Sequence, residues 1–161
     1  MSEHPEVLTL IAEIRKSREV LDRITSYYDS HFGVSSALPE TTENAIVLAE
    51  VMNNYYTCVE TIFLRISQHF ENSLAAENWH KDLLRKMTLT IPDIRPRVVD
   101  ERTYVDLEEL LRFRHFHRYY LEFSYDWERL RIVESRFGAA RQPLDCALDE
   151  FEHHLLEVSK L

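Results

Sequence analysis

Apolar residues recur along this chain at steps of three and four, the spacing that places them on one face of an α-helix. From about Pro5 to His31 the stripe is Val7, Leu10, Ile11, Ile14, Leu21, Ile24 and Tyr28. Pro5 suits the first turn of such a helix, and Gly33 supplies a stop before the turn-rich run VSSALPE at 34–40. A second stripe, from about Thr41 to Glu71, runs through Ala45, Leu48, Met52, Tyr55, Val59, Ile62, Ile66 and Phe70. Ala49, Tyr56 and Phe63 widen it, which predicts a helix at the centre of the fold. Thr41 or Thr42 can cap it. The pair Tyr55-Tyr56 reads as core, because nothing basic flanks it.

A shorter helix is predicted from Asn78 to Met87, with Leu83, Leu84 and Met87 facing inward. The stretch TIPDIRPRVVDERT, 90–103, breaks helix periodicity with two prolines and several β-branched residues. It is too apolar for a free linker, so Ile91, Ile94, Val98 and Val99 are expected to pack on the bundle. Thr103 and Asp106 resemble a capping box for a fourth helix starting near Tyr104. That helix is expected to continue through LEELLRFRHFHRYYLEF and to bury Phe113, Phe116, Tyr120, Phe123 and Trp127. Asp126 can cap a further helix ending near Gly138, and Pro143 fits the first turn of a last one.

Composition agrees with an all-α bundle of five to six helices in one domain, residues 1–161. Only two of 161 residues are glycine, Gly33 and Gly138. Hairpin turns and phosphate-cradling loops need residues at positive φ, so β-sandwiches, Rossmann folds and P-loops are disfavoured. Cys58 and Cys146 form no disulfide framework and have no metal-ligand spacing; both are expected as buried thiols on helical stripes. The start, MSEHPEV, has no signal-type run, and nowhere do about 20 apolar residues follow one another. A cytoplasmic protein without membrane contact is expected.

The net charge of −9 disfavours a broad nucleic-acid-binding surface. Cations gather in one place, Arg112-Phe-Arg114-His115-Phe-His117-Arg118-Tyr119-Tyr120. On a helix, Arg112, His115 and Tyr119 fall on one flank, and Arg114, His117 and Arg118 on the other. One reading is a solvated face whose arginines pair with Glu108, Glu109 or Glu122. The other is a phosphate site: arginine holds phosphate bidentately and histidine moves protons near neutral pH. Metal-free RNA cleavage needs both functions, a base for the ribose 2′-hydroxyl and a cation for the charge developing on phosphorus.

The residues IRPRVVDERTYVDLEELLRFRHF, from Ile94 to Phe116, with DWERL, from Asp126 to Leu130, resemble the HepT-like branch of the HEPN domains. The resemblance is strongest over 87–131. It implies an all-helical HEPN-like bundle, typically a homodimer, and metal-independent RNA endonuclease activity. Many such proteins are toxins of type VII-like pairs, encoded beside an MNT-type nucleotidyltransferase antitoxin. The family motif is an arginine, a polar residue and, five positions after the arginine, the histidine of His-x-Tyr; two protomers join their motifs in a cleft. In studied pairs the antitoxin attaches AMP to the motif tyrosine.

Two registers carry this motif over. Without a gap, Arg114 is the arginine, His115 the polar residue, Tyr119 stands at the histidine position and Leu121 at the tyrosine. Tyrosine is a weak base near neutral pH, so His115 or His117 would have to move protons. Shifted by two, Arg112, His117 and Tyr119 supply Arg, His and Tyr, with Phe113 at the polar position. The implied catalytic set is therefore Arg114, His115, His117 and Tyr119, with Arg112 and Arg118 binding phosphate. The implied partners are RNA, tRNA among the candidates, the antitoxin and a second copy of the chain; no cofactor and no metal are implied. The alternative is a catalytically degenerate HEPN domain, a module that binds RNA, nucleotide or protein.

Glu77-x-x-His80 and Glu150-x-x-His153 match the spacing of di-iron bundles, with Glu50 and Glu60 as further carboxylates. Chance accounts for such pairs in a chain with 28 acidic residues and 8 histidines. Glu77 also reads as a helix-start acid, and His153-His154 as favourable charge at a helix end. Trp79 and Trp127 are expected as core or interface anchors.

Overall fold

A computed structural model describes residues 4–33, 38–71, 77–120 and 122–160. Five helices account for most of them: α1 (Pro5–Phe32), α2 (Thr42–Phe70), α3 (Trp79–Lys86), α4 (Glu101–Tyr119) and α5 (Trp127–Val158). Among the described residues the only β-type pairing is an isolated bridge between Ile91 and Arg95. The expected all-α bundle is therefore present, with five helices. Residues 34–37 of the VSSALPE turn lie outside the described residues.

α2 touches each of the other four helices. Its wide apolar face explains this: Leu48, Ala49, Met52, Tyr56, Val59, Ile62, Phe63 and Ile66 are fully buried, and Tyr55 nearly so. Thr41 is its cap, accepting the Asn44 N–H at 3.2 Å. Gly33 closes α1, with its N–H on the Asp29 carbonyl and an ordinary φ of −83°. Asn78 precedes α3 at a φ of 55°, a conformation asparagine tolerates better than most residues. Leu83, Leu84 and Met87 point into the core as the periodicity required.

The connection after α3 is ordered by a cation the sequence did not single out. Arg95 is buried and donates through Nε to Glu71 at 2.6 Å, and through its Nη atoms to the carbonyls of Lys86, Leu89 and Pro96. Such a guanidinium is tolerable in a core only because its donors are satisfied. Val98 and Val99 are buried as expected and Ile91 is half-buried. Ile94 is not: it stands on the turn around Asp93 and is 48% exposed.

α4 starts earlier than the Thr103–Asp106 pattern indicates. Asp100 is the cap, its carboxylate accepting the Thr103 N–H at 2.7 Å, while Asp106 is buried against Arg136 at 3.0 Å. The Thr103 N–H holds the Asp100 carboxyl below its ordinary range. A depressed folded value means stabilisation that is present above the unfolded value near 3.9 and is lost as pH falls through the folded one. Asp100→Ala is expected to cost about 1 kcal/mol at pH 7, a fall in Tm of about 2–4 °C. Thermal melts should show the difference from the parent shrinking below about pH 4.

α4 also ends earlier, at Tyr119, with Tyr120 extended. Phe113 is buried and Phe116, Tyr120 and Trp127 are half-buried, but Phe123 is 68% exposed. Helical spacing no longer applies beyond the end of the helix. In the opposite direction, the expected break between Gly138 and Pro143 is absent, and α5 is continuous with Pro143 inside it. Its buried stripe, Leu130, Val133, Phe137, Ala140, Leu144, Leu148, Phe151 and Leu155, keeps step across the proline. Packing on both sides outweighs the roughly 3 kcal/mol an interior proline costs. Asp126 caps α5 as expected, accepting the Glu128 N–H at 2.9 Å.

Cys58 is half-buried, its thiol donating to the Ser17 carbonyl and pushed up to about 11 by burial. Cys146 is exposed rather than buried, on the outer side of α5. No described helix is long and apolar enough to cross a membrane. The last turn of α5 holds no basic residue, so His153 and His154 lie short of the helix end they were expected to complement.

Candidate functional site

α4 places its arginine cluster by the same periodicity that buries its leucines. Leu107, Leu110, Leu111 and Phe113 face the core, so Arg114 enters the bundle edge beside α2 while Arg118, one turn on, reaches the surface. Between α2, α3 and α4 lies a groove of 930 Å³. Arg112, Arg114, His115, His117, Arg118 and Tyr119 all line it, with Asn53 and Thr57 from α2, and Asn78, His80 and Lys81 at the start of α3.

The centre of the groove wall is a buried ionic network. Glu60 on α2 is 6% exposed. Arg114 grips it with both Nη atoms, each at 2.8 Å from a carboxylate oxygen. His80 approaches the same carboxylate, Nδ1 to Oε2 at 2.8 Å, and its Nδ1 lies 3.0 Å from Arg114 Nη2. The Arg114 guanidinium also lies over the Tyr56 ring, 5.2 Å from its centroid. Burial, and then the Glu60 charge, raise the Tyr56 phenol. A charge this deep is sustainable because it is paired and hydrogen-bonded on both oxygens.

The rim is solvated. Arg112 pairs with Glu109 at 2.7 Å and Glu108 at 3.3 Å, as the solvated-face reading expected. Arg114 does not follow it, because its carboxylate comes from α2. Lys81 stands 3.6 Å from Glu108. Arg118 and His115 are exposed, and among the described residues Arg118 makes no ion pair. The His115 ring meets Tyr119 edge-on at 5.2 Å, and Tyr119 is 68% exposed. His117 stacks on Tyr125, with its Nε2 3.9 Å from Glu50. Leu121, the tyrosine position of the ungapped register, lies outside the described residues.

The Glu-x-x-His pairs do not build a metal centre. Glu77 precedes α3 rather than starting it, and His80 turns its Nδ1 to Glu60. Among the described residues, no group of three or more His, Cys, Asp or Glu side chains is arranged to hold a metal ion.

The family model of HepT-like proteins matches residues 45–155, from the first turn of α2 to near the end of α5. The chain belongs to the HepT-like family. Comparison with curated proteins gives no match, and comparison with solved structures gives none. The match takes in every element of the groove, so the HepT-like core and the cation cluster coincide.

Two residues of this HepT-like chain gain a different meaning from the structure. Glu60 and His80 figure in the sequence only as members of a metal pattern. The usable signal is that Glu60 interrupts the buried face of α2 between Val59 and Phe63. A carboxylate at such a position demands a buried cationic partner. Arg114 is that partner, but 54 residues separate them in the chain, and periodicity alone does not pair helices.

Proposed function

We propose that this HepT-like chain is a metal-independent RNA endonuclease of the HEPN type. It acts as a toxin, a single domain over 1–161, and works as a homodimer. An MNT-type nucleotidyltransferase encoded beside it is the antitoxin. Support comes from family membership and, above all, from one observation: the arginines and histidines of the 112–118 stretch share one groove with His80 and Lys81, and Arg114 is held there by two hydrogen bonds to Glu60.

The chemistry is attack of the ribose 2′-hydroxyl on the adjacent phosphorus with departure of the 5′-oxygen. Arg114 stabilises the charge that develops on the phosphate. Glu60 takes one N–H from each Nη atom and fixes the plane of the guanidinium, which has five N–H groups in all. Arg112 and Arg118 attract RNA phosphates from the rim, and His115 and His117 are imidazoles of the motif stretch able to move protons. Tyr119 is open to substrate or to AMP transfer, in keeping with its exposure. A second reading, a binding module without cleavage, draws on the same Glu60 grip, which neutralises the arginine, and on Tyr119 at the histidine position.

Overproduction of the chain is expected to arrest growth, and co-production of the neighbouring nucleotidyltransferase to restore it. Growth unaffected by overproduction would favour the binding module.

A further inference from the structure

The ungapped register leaves the motif without its histidine, and the groove offers a replacement from another helix. We propose that His80, on the first turn of α3, is the proton acceptor that starts RNA cleavage, through Nε2. This rests on the ribonuclease reading above.

The assignment follows from which partners can donate. Arg114 Nη2 only donates and the Glu60 carboxylate only accepts. Nη2 and His80 Nδ1 both stand 2.8 Å from Glu60 Oε2, and the 3.0 Å between the two nitrogens closes that triangle. A proton on Nδ1 makes both contacts to the carboxylate favourable. A lone pair there could accept from Arg114 Nη2 at 3.0 Å, but it would face the charged carboxylate's own lone pairs at the shorter distance of 2.8 Å. The proton therefore sits on Nδ1, and the lone pair on Nε2.

Nothing among the described residues hydrogen-bonds Nε2. The imidazole is 28% exposed in the groove wall. The Trp79 ring packs on it, centroids 3.7 Å apart, and holds its orientation. A carboxylate behind one nitrogen and an open lone pair on the other is the arrangement of a general base. His117 lacks it, since its Nε2 lies 3.9 Å from Glu50, too far for the hydrogen bond that would fix its tautomer. His115 lacks it too, its ring meeting only Tyr119 among these contacts.

In the step, Nε2 takes the 2′-hydroxyl proton as the O2′–P bond forms and the P–O5′ bond breaks. Water in the open groove supplies the proton to the departing 5′-oxygen. The products are a 2′,3′-cyclic phosphate and a 5′-hydroxyl. The imidazolium then returns its proton to solvent.

The test is cleavage of a single-stranded oligoribonucleotide by full-length protein with chelator present. His80→Ala is expected to cleave about 10²–10⁴-fold more slowly than the parent. Added imidazole should restore part of the rate, and His80→Gln should be equally impaired but unrescued. A His80→Ala rate within about threefold of the parent overturns the assignment and returns the role to His115 or His117. So does a loss that imidazole leaves unchanged. A parent that cleaves no RNA instead removes the ribonuclease reading, and the role of His80 with it.

Discussion

Arg114→Ala is expected to lower RNA cleavage by about 10³-fold, the loss that follows when a preorganised cation at a developing phosphoryl charge is removed. Arg114→Lys should not restore it. A lysine carries the charge but not the planar fork that binds Glu60 through both Nη atoms and keeps further N–H groups for a phosphate. The substitution also leaves Glu60 buried with His80 as its one hydrogen-bond partner among the described side chains, so activity must be compared at a temperature where melts show the variant folded. A folded Arg114→Ala protein with parental cleavage would separate this arginine from the chemistry.

The second large effect is on stability. Glu60→Ala removes the only carboxylate that Arg114 contacts among the described residues, and leaves a guanidinium whose side chain is 16% exposed. Breaking a buried pair from one side costs about 3 kcal/mol or more, because the remaining charge stays desolvated. For a chain of this length the Tm should fall by about 6–12 °C. Glu60→Gln keeps an acceptor of the same shape and should fall between the parent and Glu60→Ala. Equal Tm values for parent and Glu60→Ala would show that the network contributes nothing to the fold.

Local patterns carried most of the architecture. The stripes of α1 and α2, the inward leucines of α3 and the Asp126 cap could be read directly, because period and capping are properties of neighbouring residues. Errors arose where tertiary packing overrode a local signal. Gly138 and Pro143 read as a boundary, yet the apolar stripe of α5 passes through both. Thr103 and Asp106 read as a cap, yet Asp106 is committed to Arg136, and Asp100 caps the helix. Phe123 kept the helical spacing on paper after the helix had ended.

For the site, the sequence located the cations but not their partners. Arg112 found its carboxylates on the same helix, where spacing predicts them. Arg114 found its partners on α2 and α3, which only the packing of α2, α3 and α4 brings together. The groove is thus a product of three helices, of which the motif stretch supplies one.

The most direct measurement is the nature of the ends produced when purified protein meets RNA in the presence of a metal chelator. Fragments ending in a 2′,3′-cyclic phosphate with 5′-hydroxyl partners, detected by mass spectrometry, are the predicted result. Intact RNA, or cleavage that needs a divalent metal and leaves 3′-hydroxyl and 5′-phosphate ends, would contradict it.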